Sequence, residues 1–355
     1  MPVSPIQQLE SGSRACVVTL IAVLHLAGCT TVGPDFETPE PEVLPAWQQT
    51  AFPGGAEAQA AWWQTFSDPV LDALVEAAYR ENYSLEIAGL RVLEARAQLG
   101  IAVGSRYPQL QQGRGGATYV AASKNTANTA GGDLRFWEYD VGADLSWEID
   151  FWGRFRRGIE SADANLLASV AAYDDAIVLL TAQVASTYIV LREAEEQLRV
   201  AHENVKIQQR SVDITEVRFR EGDVDQLDVE QAKAQLFSTQ ATIPSLEISV
   251  QQARHALSTL LARPPGDLED ILGPAPGKIP TPPAAIAVGL PADLLRRRPD
   301  VRQAELQAAA QSALVGVAEA DLYPSFGLSG SLGLAAGSGT GTTRTGNSGA
   351  DELFD

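Results

Sequence analysis

Between residues 151 and 261, side chains suited to a helix–helix seam recur in alternating steps of three and four. In the first arm these are Val170, Tyr173, Ile177, Leu180, Val184, Thr187, Leu191, Ala194, Leu198, Ala201, Val205, Gln208, Val212, Thr215 and Phe219. Val229, Ala232, Leu236, Thr239, Ile243, Leu246, Val250, Ala253, Leu257 and Leu260 continue the rule in a second arm. A 3.5-residue period held this long predicts a coiled hairpin, because it keeps one stripe of each helix turned toward its partner. Glu221-Gly222-Asp223 marks the turn, since glycine accepts the left-handed backbone that ends a helix. An arm of about 60 residues spans roughly 90–100 Å, a reach suited to bridging a gap. Pro244 falls inside the second arm and is expected to kink it.

Just before the hairpin the period changes to two. Tyr139, Val141, Ala143, Leu145, Trp147, Ile149 and Phe151 alternate with Asp140, Gly142, Asp144, Ser146, Glu148 and Asp150. That pattern predicts a strand with one apolar face, and about 9–11 residues suffice to cross a bilayer. Tyr139, Val141, Leu145, Trp147 and Ile149 are the expected lipid-facing positions, although a soluble amphipathic strand alternates in the same way. Phe136, Trp137, Trp147, Phe151 and Trp152 suit either a membrane interface or packing where strand becomes helix.

These patterns divide the chain. Residues 1–28 read as a lipoprotein signal: an apolar run closes on Leu26-Ala27-Gly28-Cys29, making Cys29 the lipidated first residue of the mature chain. A short buried helix with an incidental cysteine is the alternative. Cys16 leaves with the signal, so no structural disulfide is expected. Residues 29–66 form an extended tether ending at Trp62-Trp63. The first repeat covers 67–288: a helix over 68–104 stopped by Tyr107-Pro108, a β-hairpin over 109–151, the coiled hairpin over 152–263 and a connector over 264–288. A second, incomplete repeat covers 289–355, with a helix over 300–321, a strand over 325–336 and a Gly/Thr loop over 337–349. Tyr323-Pro324 stands 216 residues after Tyr107-Pro108, and Leu85, Ala97 and Gly100 meet Val301, Ala313 and Gly316 at that offset. The same offset sends the return strand and hairpin end to near 363 and 479, so the chain is expected to stop about 124 residues short of a second full copy.

Composition narrows the function. A formal net charge of −19 and a pI near 4.6 argue against nucleic acid as a partner, because phosphate contacts need Lys and Arg. No stretch after residue 28 reads as long and apolar enough for a membrane helix, which leaves a β-barrel as the expected span. No enzyme chemistry, metal site or cofactor is expected beyond the covalent lipid at Cys29. His25, His202 and His255 do not cluster, and Gly337-Ser338-Gly339-Thr340-Gly341 lacks the strand-to-helix setting of a phosphate loop. Asp174-Asp175 and Glu195-Glu196 read as solvated coil faces, and Arg296-Arg297-Arg298 as a solvated helix end.

Several segments together carry a resemblance. They are Gly28-Cys29 with Val32-Gly33-Pro34-Asp35-Phe36; Trp62-Trp63 to Phe66 with Asp68-Pro69; Arg91 through Ala95-Arg96-Ala97 to Tyr107-Pro108; Ser146 to Arg154; Arg218 to Gly222 with Leu227-Asp228-Val229; and Arg296 to Asp300. With the order of elements, they closely resemble the TolC/OprM superfamily of outer-membrane efflux ducts, in its lipidated NodT-type branch. The resemblance implies an α+β membrane protein in which outer-membrane β-barrel strands continue into a long periplasmic α-helical coiled-coil barrel. It implies two structural repeats per chain, the second incomplete here, and a homotrimer. The hairpin tip, here Arg218, Gly222 and Val224, would dock on a periplasmic adaptor (membrane fusion) protein. An inner-membrane pump, of the resistance-nodulation-division (RND) type, would feed the duct. The implied function is an exit duct for drugs or other small toxic compounds. A duct for secreted protein, or a lipid-anchored periplasmic coiled-coil scaffold without a pore, are the alternatives. Acidic residues that constrict the mouth in relatives lie in the second hairpin, so none is assigned here.

Mass spectrometry of the membrane protein should find an acylated peptide beginning at Cys29. A dominant unmodified peptide spanning Gly28-Cys29 would reject the lipoprotein reading.

Overall fold

The computed structural model describes residues 31–40, 61–123, 134–266, 268–273, 277–282, 295, 297–337 and 344–345. Cys29, the signal and much of the tether, connector and Gly/Thr loop lie outside them. The chain divides into a helical unit, residues 40–92 and 169–303, and a strand unit, residues 1–39, 93–168 and 304–355.

In the helical unit Asp68 starts the first helix, α1 (Pro69–Glu81). Its carboxylate accepts the Val70 and Leu71 amides at 2.9 and 3.2 Å, and Pro69 fills the first helical position. The single helix expected over 68–104 is corrected at Asn82. Extended backbone there ends α1, and the Asn82 side chain accepts the Leu85 amide at 2.9 Å, opening α2 (Tyr83–Gly104). The Asn82 side-chain Nδ2 in turn donates to the Leu260 carbonyl at 2.8 Å. One short polar side chain therefore caps a helix and ties it to the hairpin.

The hairpin consists of α3 (Arg154–Arg220, 67 residues) and α4 (Gln226–Leu260, 35 residues). The expected length holds for α3 alone; at the helical rise α4 spans only about 53 Å. Helix α4 runs through Pro244 without interruption. The seam is where the periodicity puts it: Val184, Leu191, Ala194, Ala201 and Val212 are buried on α3, and Val229, Leu236, Val250, Ala253 and Leu257 on α4. Leu71, Leu74, Val75 and Ala78 of α1, with Leu268 and Leu272 flanking the short α5 (Glu269–Leu272), join the same core. Helix α1 also covers a second stripe of α3, so Ala185 and Tyr188 are buried off the seam. Tyr79 and Thr181 share a hydroxyl hydrogen bond of 2.7 Å across that contact. The outer face of α3 keeps Val178, Leu179 and Val190 about half exposed. With apolar residues on several faces, one 18-residue window of α3 is apolar enough to span a bilayer by length and composition. This corrects the expectation that no stretch beyond residue 28 would be.

A second correction concerns Glu195, expected on a solvated face. It is buried, accepting from Arg192 Nη1 at 2.7 Å and Arg254 Nη2 at 3.2 Å. Arg192 is also buried and lies 4.9 Å over the Tyr188 ring, while the Tyr188 hydroxyl donates to Asp68 at 2.8 Å. Burial by itself would weaken the hold of Arg192 on its proton; hydrogen bonds with Tyr188 and Glu195 more than reverse this and raise its pKa. Gly277 runs directly against the guanidinium, where a Cβ would come 2.6 Å from Cζ. The hairpin closes below this point: α4 ends with Ala262 left-handed at φ 54°, and Arg263 pairs with Glu81 at 2.8 Å and Asp270 at 3.0 Å. The Arg263 hydrogen bond holds the Glu81 carboxyl below its ordinary range.

The strand unit holds an antiparallel sheet in the order β1 (Leu110–Ala121), β2 (Arg135–Ile149), β3 (Phe326–Gly337), β4 (Arg344–Thr345). Asp150 follows β2 and accepts the Phe155 and Arg156 amides at 3.0 Å each, so the strand passes straight into the first turn of α3. Helix α6 (Pro299–Ala320) precedes β3. Each boundary of α6 and β3 lies 216 residues after its counterpart in α2 and β1: Tyr83 to Pro299, Gly104 to Ala320, Leu110 to Phe326 and Ala121 to Gly337.

Glu195→Gln should destabilise the helical unit by about 3–5 kcal/mol, because it leaves Arg192 buried and uncompensated. The paired change Arg192→Met with Glu195→Leu should cost less. Thermal unfolding in detergent measures both, and equal losses would show that packing outweighs charge at this site.

Candidate functional sites at the sheet faces and the hairpin turn

Register decides which side chains share a face, since directly opposed residues in antiparallel strands point the same way. One face of β2 carries Trp137, Tyr139, Val141, Ala143, Leu145, Trp147 and Ile149. Opposite them on β3 stand Ala336, Leu334, Leu332, Gly330, Leu328 and Phe326. All of the expected lipid-facing residues lie on this face. Tyr139, Val141, Leu145 and Ile149 are between 42% and 59% exposed. Trp147 is half-buried instead, its indole N–H donating to the Arg106 carbonyl at 3.0 Å. Aromatic side chains gather at both ends of the face. Tyr119, Trp137 and Tyr139 meet at 5.3 and 6.3 Å between ring centroids. At the other end Phe151 contacts Phe326 at 5.7 Å and Trp152 stacks on Tyr323 at 4.6 Å. Packing where strand becomes helix, one of the two placements open in sequence, is therefore seen at Phe151 and Trp152.

The opposite face is polar: Glu138, Asp140, Gly142, Asp144, Ser146 and Glu148 on β2, with Ser329, Ser331 and Gly333 on β3. Sequence reading missed Arg114 on this face. It stands in one row with Gly142 and Gly333, and pairs with both Asp144 oxygens at 2.8 and 3.0 Å. A Cβ on Gly142 would come 3.2 Å from Arg114 Nε, so the side chain lies flat on the sheet over a glycine track. The signal was present as an arginine flanked by Gly113, Gly115 and Gly116, but its meaning depends on the register.

The hairpin turn is built from backbone hydrogen bonds. The Asp223 amide donates to the Arg218 carbonyl at 2.9 Å and the Gly222 amide to that of Phe219 at 3.1 Å, with Gly222 at φ 84°. This pair satisfies the last carbonyls of α3 and needs a left-handed residue at Gly222. Asp225 and Asp228 then exchange side-chain and backbone bonds to open α4. Arg218 and Gly222 are exposed and Val224 is half-buried. Arg218 and Val224 line a groove of about 470 Å³ with Thr215, Asp228 and Gln235, so the structure brings these two together.

Comparison with known proteins places this geometry in context. The family model described as outer membrane efflux protein matches residues 74–263 and 290–352. Nodulation protein T of Rhizobium leguminosarum bv. trifolii is 33% identical over 322 residues, covering 88% of this chain and 66% of that protein. The probable outer membrane lipoprotein SilC of Salmonella typhimurium is 32% identical, covering 89% and 67%. The solved outer-membrane channel OprN superposes with a TM-score of 0.77 at 36% identity, covering 86% of this chain and 68% of that one. The chain thus spans about two thirds of the length of the curated relatives it matches.

Val141→Arg puts a charge on the apolar face and should cost about 2–4 kcal/mol of membrane-inserted stability. Ser329→Arg on the polar face should cost far less. Unfolding in lipid vesicles measures the difference, and equal costs would reject the assignment of faces.

Proposed function

This chain belongs to the outer membrane efflux protein family, and on that footing we propose that it forms the exit duct of a tripartite efflux system. It is an outer-membrane protein, as its channel and lipoprotein relatives are. In the proposed assembly the strands of three copies close one barrel, since a sheet edge left open in lipid strands unpaired backbone groups. A cyclic trimer removes every edge. The long hairpins form the periplasmic helical barrel, and Cys29 carries the lipid anchor. The turn at Arg218, Gly222 and Val224 meets a periplasmic adaptor, which an inner-membrane pump of the RND type supplies with drugs or other small toxic compounds.

The observation that carries this reading is the sheet with one apolar, aromatic-ended face and one acidic face, the arrangement of a wall between lipid and water. A poreless periplasmic scaffold would leave Tyr139, Val141 and Leu145 in water at a cost no packing offsets. Selection of cargo then rests with the pump, because a polar duct wall offers no fitted pocket.

Val224→Cys and Arg218→Cys should crosslink to cysteines in the adaptor hairpin, and Gln197→Cys, midway along α3, should not. Gly222→Ala should weaken the turn by about 1 kcal/mol. Equal crosslinking at Gln197 would mean that the adaptor lies along the coil side, and the turn assignment would fall.

A further inference from the structure

Arg157 is a buried cation whose partners come from far away in sequence. Its side chain is only 5% exposed. Nε donates to the Val32 carbonyl at 3.0 Å and Nη2 to the Gly33 carbonyl at 2.9 Å. Nη2 also pairs with Asp35 at 2.8 Å, and Nη1 with Glu160 at 2.8 Å. The guanidinium therefore spends most of its donors on the five residues Thr31–Asp35. The Val32 amide completes the attachment by donating to the Trp152 carbonyl at 3.1 Å.

Three glycines make room for this segment. Gly33 sits at φ 88°, and a Cβ there would fall 2.3 Å from the Gly316 Cα of α6. A Cβ on Gly316 would come 2.8 Å from the Val32 carbonyl oxygen and 2.9 Å from Arg157 Cγ. Gly153, at φ 83°, would press its Cβ to 2.7 Å from Thr31 Cγ2. Glycine inside α6 weakens a helix by itself, so Gly316 is better explained by what lies against it than by the helix it occupies. Trp152, which holds Val32, also donates its indole N–H to the Pro324 carbonyl at 2.9 Å and stacks on Tyr323. The segment is thus fastened to the aromatic end of the sheet.

We propose that Arg157, with Gly33, Gly153 and Gly316, is an internal docking seat that positions the mature N-terminus and holds its lipid anchor beside the Phe151, Trp152, Tyr323 and Phe326 cluster. The inference rests on the reading of Cys29 as the acylated residue. One residue, Thr30, separates Cys29 from Thr31, so chain length alone keeps the Cys29 Cα within about 7 Å of the Thr31 Cα. An acyl group there enters the bilayer next to the strands rather than at the end of a free tether. Arg157 is a positioning residue in this scheme and does not touch the lipid.

Hydrogen exchange on the full chain in lipid nanodiscs tests the seat. In Arg157→Ala and in Gly316→Leu, the Val32 amide, which donates to the Trp152 carbonyl, should exchange at least tenfold faster than in the unsubstituted chain. Residues 160–180 of α3 should stay protected in both, and leucine favours the α6 helix, so general unfolding would not mimic the effect. Arg157→Lys, which cannot reach all three acceptors, should restore little. Unchanged exchange at Val32 in both variants overturns the proposal. So does loss of protection along α3 in step with the segment, which would make Arg157 a helix-stabilising residue only. Mass spectrometry of the same samples separates the two readings. An acylated Cys29 peptide in all four proteins supports the anchor, whereas its absence from the unsubstituted chain overturns the lipid placement and leaves the exchange result to judge the seat.

Discussion

In the proposed duct the sheet faces lipid and must satisfy its own backbone, and most of the strand unit follows from that constraint. Water cannot pair with an exposed N–H in hydrocarbon, so every strand needs a neighbour on both sides. Among the described strands β2 meets this requirement along its length, paired with β1 on one side and β3 on the other; β1 has β2 alone, and β3 adds only the two-residue β4. Along β2 from Trp137 to Ile149 the alternation puts aromatic and aliphatic side chains on one face and small, polar or acidic ones on the other, while β1 is less strict, with Gln111 opposite Leu145 and Leu110 opposite Ser146. Glycine serves the strand unit in two places. It thins the polar face enough for Arg114 to lie flat across the strands, and it admits Thr31–Asp35 against α6.

The helical unit solves a different problem, holding the two arms of a long hairpin in one register. Its seam of small and medium apolar residues would allow the arms to slide, because Ala and Val offer few unique contacts. Fixed points come from polar groups: Asn82 reaching the Leu260 carbonyl, Arg263 clasping Glu81 and Asp270, and the buried chain from Asp68 through Tyr188 and Arg192 to Glu195. A buried ion pair adds little net stability, yet a displaced one is expensive, so it selects one register. The connector at Gly277 is drawn into the same arrangement by lying on Arg192.

Both arms of the hairpin end their helices in the same way. At Gly222 and at Ala262 the chain turns left-handed and the last carbonyls of the helix are met by the next amides. Glycine occupies the exposed turn, where nothing else holds the backbone. Alanine suffices at the other, where the following Arg263 is gripped by two carboxylates and offsets the strain.

Much of this was legible in the chain itself. The 3.5 period and the two-residue alternation are local statements about which face of an element is apolar; burial follows the first at Leu191, Val212 and Leu236, and the second sorts Tyr139 and Val141 onto one face of the sheet. The 216-residue offset recurs in element boundaries because each helix stops for the same local reason, a Tyr-Pro step. Tertiary structure decided what no period encodes. Glu195 looks like any surface carboxylate until Arg192 and Arg254 close over it, and Asn82 looks like a helical residue until Leu260 offers it a carbonyl. Arg114 and Arg157 are two arginines among many in sequence. Their meaning lies in partners 30 and about 125 residues away, brought near only by register and by the fold. Periodicity tells a side chain which way to face; only the folded chain decides what it meets there.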